Sequence, residues 1–363
     1  MKISRIETFT RDNISMVRVW TDDGREGIGQ IAPYHADISA TVLHRQVAPH
    51  ALGFDMGDIG ALVQRIIEAN YKFPGSYVCR ATAGLETALW DLRGKIEERP
   101  VCELLGGKPK PIRAYGSSMR RNIKPEDEAE RLVRLRDTCG FTAFKIRIGK
   151  IVGHDADQWP GRTEALVPTV RKALGNDVAL LVDANSCYTP KRAIEVGRML
   201  EEHGVCHLEE PCPYWELEWT AEVTAALDLD VAGGEQDTQI PTWRRMVEMR
   251  AVDIVQPDVC YVGGMDRAMQ VAALAQKAGL PCVPHSANLS LVTVFTLHLL
   301  AAIPNAGPYI EFSIEKPRDF SEIYSPVPTV RDGVVGVPDG PGWGVELKAD
   351  WLGSAERQVS ELE

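Results

Sequence analysis

Three carboxylates in the sequence each close a short apolar run: Asp183 after "ALLV", Glu209 after "VCHL" and Glu235 after "DVAGG". Asp183 and Glu209 are 26 residues apart, and so are Glu209 and Glu235. One strand–helix unit of a barrel has roughly that length, so the spacing predicts three acids at one height on consecutive strand ends. Acids brought that close repel one another unless some are protonated or a cation is shared. An all-oxygen set with no neighbouring Cys or His suits a hard divalent ion. Mg²⁺, one per site, is expected, with waters and substrate oxygens completing its octahedron. A single acid at a strand end reads more simply as a helix cap or a solvated loop residue. Three in register over three units read as metal ligands.

Asp258 and His285 follow, 27 residues apart, again one unit. A carboxylate beside one imidazole nitrogen fixes the tautomer and raises the basicity of the other, which makes His285 a candidate general base. Glu311, in "YIEFS", completes the ring of strand-end acids; its simpler reading is a structural ion pair. The stretch "GFTAFKIRIGK" (140–150) carries two cations, Lys145 and Arg147, two residues apart on one face of an otherwise apolar strand. Buried cations need partners. The metal carboxylates, and whatever anion the metal holds, would supply them. A guanidinium keeps its proton at ordinary pH, so Arg147 is a poor base and a good bidentate holder of carboxylate or hydroxyl oxygens.

Other polar residues give weaker signals. Asn185 shares a face with Asp183 and is expected at the metal shell or the substrate. Arg120 and Arg121 follow the first barrel strand; Arg120 is taken as the candidate contact to a distal hydroxyl or second carboxylate, against the simpler reading of a solvated pair. Tyr34 and His35 are candidate substrate contacts through the specificity loop that the resemblance described below implies, and Asn288 follows His285. Residues 151–164, with His154 and Trp159, read as an insertion, most simply a surface or subunit-contact loop. His203 and His207 flank the Glu209 strand and carry no assigned role.

The elements that must position these groups are legible as alternation. From Ile112 eight apolar runs alternate with helical segments, which implies parallel strands with right-handed crossovers. Eight such units favour a closed (β/α)8 or modified (β/α)7β barrel of the TIM type over an open sheet. Residues 1 to about 50 read as strands and turns, with an Asp-Gly hairpin signal in "MVRVWTDDGREGIG". Residues 56–105 read as helical, and "LLGGKP" is the expected stop of the helix through "RATAGLETALWDLRGKI". The Gly- and Pro-rich tail is no ninth unit and is expected to return to the N-terminal region. The chain thus divides into an N-terminal α+β domain (1–111), which the resemblance described below makes a capping domain, a barrel (112–318) and a returning segment (319–363).

A chain of 363 residues is long enough for a large core, and its 25% charged residues are ordinary for a soluble globular protein. A net charge of −11 argues against general binding to nucleic acid or an anionic membrane. No apolar run is long enough to span a bilayer, and the N-terminus lacks the apolar core of a signal peptide. The eight cysteines form no CxxC pair and read as reduced thiols of a cytoplasmic protein.

In this order and spacing the motifs resemble the enolase superfamily, within it the mandelate racemase subgroup, over nearly the whole chain. "ALWDLRGK…LLGG" is similar to the helix of the family's capping domain, "KIR" to its paired cations, and "VDANSCYT", "LEEP" and "GGE" to its three ligand strands. "QPDV…GG" with "PHS" is similar to its Asp–His dyad, "YIEF" to its last barrel strand and "GPGWGVE" to its C-terminal return. The resemblance implies a cap whose loops, here 29–38 and 71–78, set specificity. It implies Mg²⁺-assisted abstraction of the proton α to a carboxylate, giving an enediolate. It also implies a small sugar acid as partner and a homo-oligomer between dimer and octamer. The second cation departs from the subgroup's namesake, which has a lysine there as base for one face. Arg147 leaves His285 as the one clear base, enough to eliminate water and give a 2-keto-3-deoxy acid. The expectation is therefore an acid-sugar (aldonate or aldarate) dehydratase, a hydro-lyase. A racemase or epimerase, with Lys145 or an unusually perturbed Arg147 serving the other face, is the alternative. Cycloisomerases and dipeptide epimerases, with lysines on both sides, fit less well, and a non-catalytic binder of metal and sugar acid is the reading from another class.

Overall fold

The structure is a computed structural model that describes every residue except Ile151, Gly153, Lys316, Pro317 and Glu363. The capping region begins with an antiparallel meander, β1 (Ile3–Arg11), β2 (Ile14–Thr21) and β3 (Glu26–Ile31). The expected hairpin is present, with Gly24 in the left-handed region at its turn. The strand Glu356–Glu361 pairs antiparallel with β1, so the chain's end completes a four-stranded sheet. The long helix Ser76–Ile96 packs on β3. Two glycines permit that approach: a Cβ on Gly29 would lie 2.4 Å from Thr87 Oγ1, and one on Gly27 2.2 Å from the Ala88 carbonyl.

Two expectations for this region are corrected. Residues 36–51 are helical rather than strands and turns, since Ala36, Ala40, Leu43 and Val47 recur on a helical stripe that is fully buried. The helix of the "ALWDLRGK" segment ends at Ile96, well before Gly106. Pro100 cannot continue it, and a separate turn, Val101–Leu104, follows.

The barrel strands are β4 (Pro111–Ser117), β5 (Ala143–Arg147), β6 (Ala179–Asp183), β7 (Val205–Glu209), β8 (Asp230–Gly233), β9 (Ile254–Val255) and β10 (Ile310–Ser313). From β4 to β9 each is parallel to the next, and β10 pairs with β4, Glu311 opposite Tyr115. The run "PCVPHS" is no regular strand. Pro281 and Pro284 lack the N–H a ladder needs, so Cys282 alone bridges to Val255 on one side and Ala306 on the other. Inside the ring, Tyr115, Ala143, Leu181, Ala232, Ile254 and Val283 form a small apolar plug. The larger core lies between strands and helices and beneath the cap. Before rejoining the cap, the tail runs Val334–Gly336 antiparallel to β4 and buries Trp343 against the long helix, where its indole donates to the Thr87 carbonyl. No described helix is long and apolar enough to cross a membrane.

Candidate active site

Alternation along the strands decides which side chains enter the mouth. Ala143 belongs to the plug, so Lys145 and Arg147 stand above it. Leu181 and then Asp183 follow the same rule on β6, as do His207 and Glu209 on β7. The register sets Arg147 opposite Asp183 and Asp183 opposite Glu209. Glu209 then faces Ala232, three residues before Glu235. Glu235 is therefore not level with the other two. It lies past the end of β8, beyond Gly234, whose φ of 108° over the Trp243 ring turns the chain back.

The two cations of β5 find carboxylates. Lys145 is fully buried, its Nζ 2.5 Å from Glu209 Oε1, 2.9 Å from Glu311 Oε1 and 3.9 Å from Asp183 Oδ2. Burial opposes its charge, but Glu209 and Glu311 outweigh it and hold the ammonium well above its usual range. Arg147 Nη1 lies 3.2 Å from Asp183 Oδ2 and donates to Asn185 Oδ1. Burial works against this cation too; Asp183 and the other acids more than compensate. Glu311 also accepts from Ser117 Oγ and the Ser286 N–H, so its structural and its site role coexist.

Across the mouth, Asp258 accepts from His285 Nδ1 at 2.7 Å through Oδ2. Its Oδ1 accepts the backbone N–H groups of Cys260 and Tyr261, capping the turn Val259–Val262 and fixing the carboxylate. His285 Nε2 then points inward, 3.4 Å from Glu235 Oε2 and 4.0 Å from Glu311 Oε2. Burial lowers the imidazole's pKa, yet Glu235 and then Asp258 push it up to about 10. A base must be free of its proton. A cation held by Glu235 would offset the largest of those attractions.

Whether the acids suit such an ion can be judged from their own chemistry. Among the described residues no three Asp, Glu, His or Cys side chains already form a closed metal shell; Lys145 and Arg147 occupy the carboxylates instead. The donors are nonetheless all oxygen and all buried, and Asp183 Oδ2, though ion-paired with Arg147, has no hydrogen-bond donor among the described residues. Burial raises the pKa of Asp183 above its usual value and, aided by Glu209, that of Glu235 as well. Such a set gains from a shared divalent cation, so Asp183, Glu209 and Glu235 fit Mg²⁺.

Of the weaker candidates, Asn185 is in the site, with left-handed backbone (φ 42°) and its carboxamide oxygen shared by Arg147 and Arg121. Arg120 is not: half exposed, it pairs with Glu315 at 3.3 Å. The buried arginine is its neighbour, Arg121. Tyr34, Asn288 and Met119 line a cavity of about 260 Å³ between cap and barrel, and His35 is exposed where the helix Ala36–Val42 begins. In the insertion, two of whose residues lie outside those described, His154 is exposed and Trp159 lies under the Arg162 guanidinium.

Sequence reasoning missed four contributors. His207, on the same face as Glu209, lies 3.7 Å from it, and Gln256 Nε2 donates to Glu209 Oε2 at 2.7 Å. Tyr261 packs its ring 5.7 Å from that of His285. Glu210 is buried, and burial and Glu235 hold its pKa well above the usual range. The i, i+2 spacing was signal enough for His207. "LEEP" offered two glutamates, and only the left-handed backbone at Glu210 brings the second one in.

Residues 1–106 match the N-terminal domain of the mandelate racemase / muconate lactonizing enzyme family, and residues 127–351 the enolase C-terminal domain-like family. An arabinonate dehydratase of Saccharolobus solfataricus is 30% identical, over 92% of this chain and 88% of that protein. A D-galactarolactone cycloisomerase of Agrobacterium fabrum is 34% identical, over 75% and 72%. A solved structure from Roseobacter denitrificans, of a protein provisionally called a racemase, superposes with a TM-score of 0.98 at 60% identity over the whole of both chains. A mandelate racemase/muconate lactonizing protein of Paracoccus denitrificans, solved with magnesium, superposes at 0.90 with 27% identity over 99% and 98%. The chain belongs to the mandelate racemase / muconate lactonizing enzyme family of the enolase superfamily.

Proposed function

We propose that the protein is a Mg²⁺-dependent acid-sugar dehydratase that removes water across C2 and C3 of a 2,3-dihydroxy acid. The observation that carries this is the asymmetry of the mouth. One side holds a hydrogen-bonded Asp258–His285 pair whose second nitrogen faces inward, 3.4 Å from Glu235; the other holds two cations paired with acids. Among the family's activities, those named for the curated relatives include acid-sugar dehydration, which supports the reading.

Asp183, Glu209 and Glu235 would hold the ion, whose charge acidifies the proton α to the substrate carboxylate. Lys145 is placed to share the negative charge that develops on that carboxylate, and Arg147 to orient its oxygens or the 2-hydroxyl. His285 Nε2 takes the α-proton. Asp258 stabilises the imidazolium without taking its proton. His285 then gives that proton to the departing 3-hydroxyl, which leaves as water. The remaining enol rearranges to the 2-keto-3-deoxy acid, so one substrate yields one keto acid and one water.

Epimerisation is the second reading, favoured by the name of the Roseobacter relative. It needs a base on the face opposite His285. Lys145 is the candidate there, but it is held as an ammonium between Glu209 and Glu311. The test is a product screen: aldonic and aldaric acids with Mg²⁺, keto acid trapped by semicarbazide. A strong hit lost in EDTA and in His285→Asn is expected. A C2 epimer formed without keto acid would overturn the dehydratase reading.

A further inference from the structure

Arg121 presents a charge that the proposed reaction does not use. It is only 9% exposed, yet among the described residues no carboxylate lies within ion-pairing distance of it. Its Nη2 donates to Asn185 Oδ1, the same oxygen that Arg147 approaches. Among the described residues the Nε atoms of both arginines are buried without acceptors, and the second Nη of Arg147 donates to the Met119 sulfur at 2.9 Å. Two guanidiniums therefore converge on one neutral oxygen, and the one described acid within ion-pairing distance of either, Asp183, is claimed by Arg147 and the proposed ion. Burying such a charge without an anion is costly. Burial indeed pulls the Arg121 guanidinium down to about 10. Arg121 also lines a cavity of about 400 Å³ with Met119, Asn122, Lys150 and Gln158: two cations and no acid. The contacts Lys145–Asp183–Arg147–Asn185–Arg121 run unbroken from the reacting end of the mouth to this cavity.

We infer that Arg121, with Asn185, forms a second anion subsite that binds the distal carboxylate of the substrate, making the substrate an aldaric rather than an aldonic acid. The inference rests on the proposed function for where the first carboxylate lies. The planar guanidinium fork matches two carboxylate oxygens, and Asn185 can turn its amide N–H groups toward the same anion. A terminal phosphate shares this chemistry, and the test separates the two.

Direct titration avoids any need for turnover. Matched acids differing only at the far end (tartrate against threonate, glucarate against gluconate, galactarate against galactonate, and 6-phosphogluconate) are titrated by calorimetry into His285→Asn with Mg²⁺, with and without Arg121→Gln. At least one aldarate should bind tenfold or more tightly than its aldonate. Arg121→Gln should remove that advantage while leaving aldonate affinity within about threefold. Arg121→Gln should also melt no lower than its parent, because it removes an uncompensated charge; a purely structural arginine would give a lower melt. Equal affinity for the two classes, failure of every diacid to bind, or a preference for the phosphate overturns the subsite. In the wild-type enzyme, failure of the dehydratase reading shows separately, as aldarate binding without keto acid.

Discussion

Asp258 does two jobs with its two oxygens. One caps a turn and the other holds His285. Its replacement by Asn should keep much of the cap and lose the imidazolium partner. We expect kcat to fall by about 10- to 100-fold in Asp258→Asn, and by about 10²- to 10⁴-fold in His285→Asn, with KM changed far less. Steady-state kinetics on the acid found by the product screen would check both. The carboxylates carry a separate prediction. Mg²⁺ should raise the melting temperature reversibly against EDTA, by stabilisation of about 2.7 kcal/mol at a hundredfold excess over its Kd, and Asp183→Asn should abolish the effect. Many of these residues were legible because each polar group closes an apolar run one unit after the last. What sequence could not resolve is direction after a strand ends. Arg120 and Arg121 are adjacent, and only the path of the loop sends one to Glu315 and the other inward.

Elements were legible where periodicity was uninterrupted and opaque where proline intervened. Pro100 split the cap helix from the next turn, and Pro281 and Pro284 reduced a strand to one bridge. The contact of β3 with the helix Ser76–Ile96 was equally hidden, since a glycine in a strand does not announce what it faces. Gly29→Ala should destabilise the protein by about 1–3 kcal/mol or more, because its methyl would meet backbone as well as Thr87. Denaturant midpoints would show it. His298, in the helix Leu291–Ala302, accepts from the Cys102 N–H and lies against the Trp343 carbonyl. Burial lowers its pKa to about 4, below the usual 6.5. Between those values the unfolded chain takes up a proton that the folded chain refuses. Stability from this group is therefore full above about pH 6.5 and falls as the pH drops toward 4. Relative to a His298→Gln variant, the wild type should lose about 2 kcal/mol between pH 7.5 and 5. Parallel pH slopes for the two proteins would contradict this.

At the scale of the molecule, cap and barrel are joined by buried polar contacts that only the fold reveals. Gln30, at the end of β3, donates to Ser290 Oγ and accepts from the Leu291 N–H, while Glu86 accepts from the N–H groups of Met265 and Asp266. Gln30→Ala would leave a buried N–H unpaired. It should cost about 1–3 kcal/mol in a single transition shared by both regions, seen as coincident near- and far-UV melting curves. The order of strands and the return of the tail were expected from alternation and composition; these cross-links were not, since their partners lie some 180 to 260 residues apart. The cap thereby closes a mouth into which His285 Nε2 faces, beside Glu235. Solvent exchange tests that claim most directly: incubate the identified acid with Mg²⁺ and enzyme in deuterated water and follow the α-proton by NMR. The account predicts α-proton loss coupled to keto acid in the wild type, no C2 epimer, and neither exchange nor product in His285→Asn. Exchange that persists in His285→Asn would place a working base on the opposite face and contradict the account.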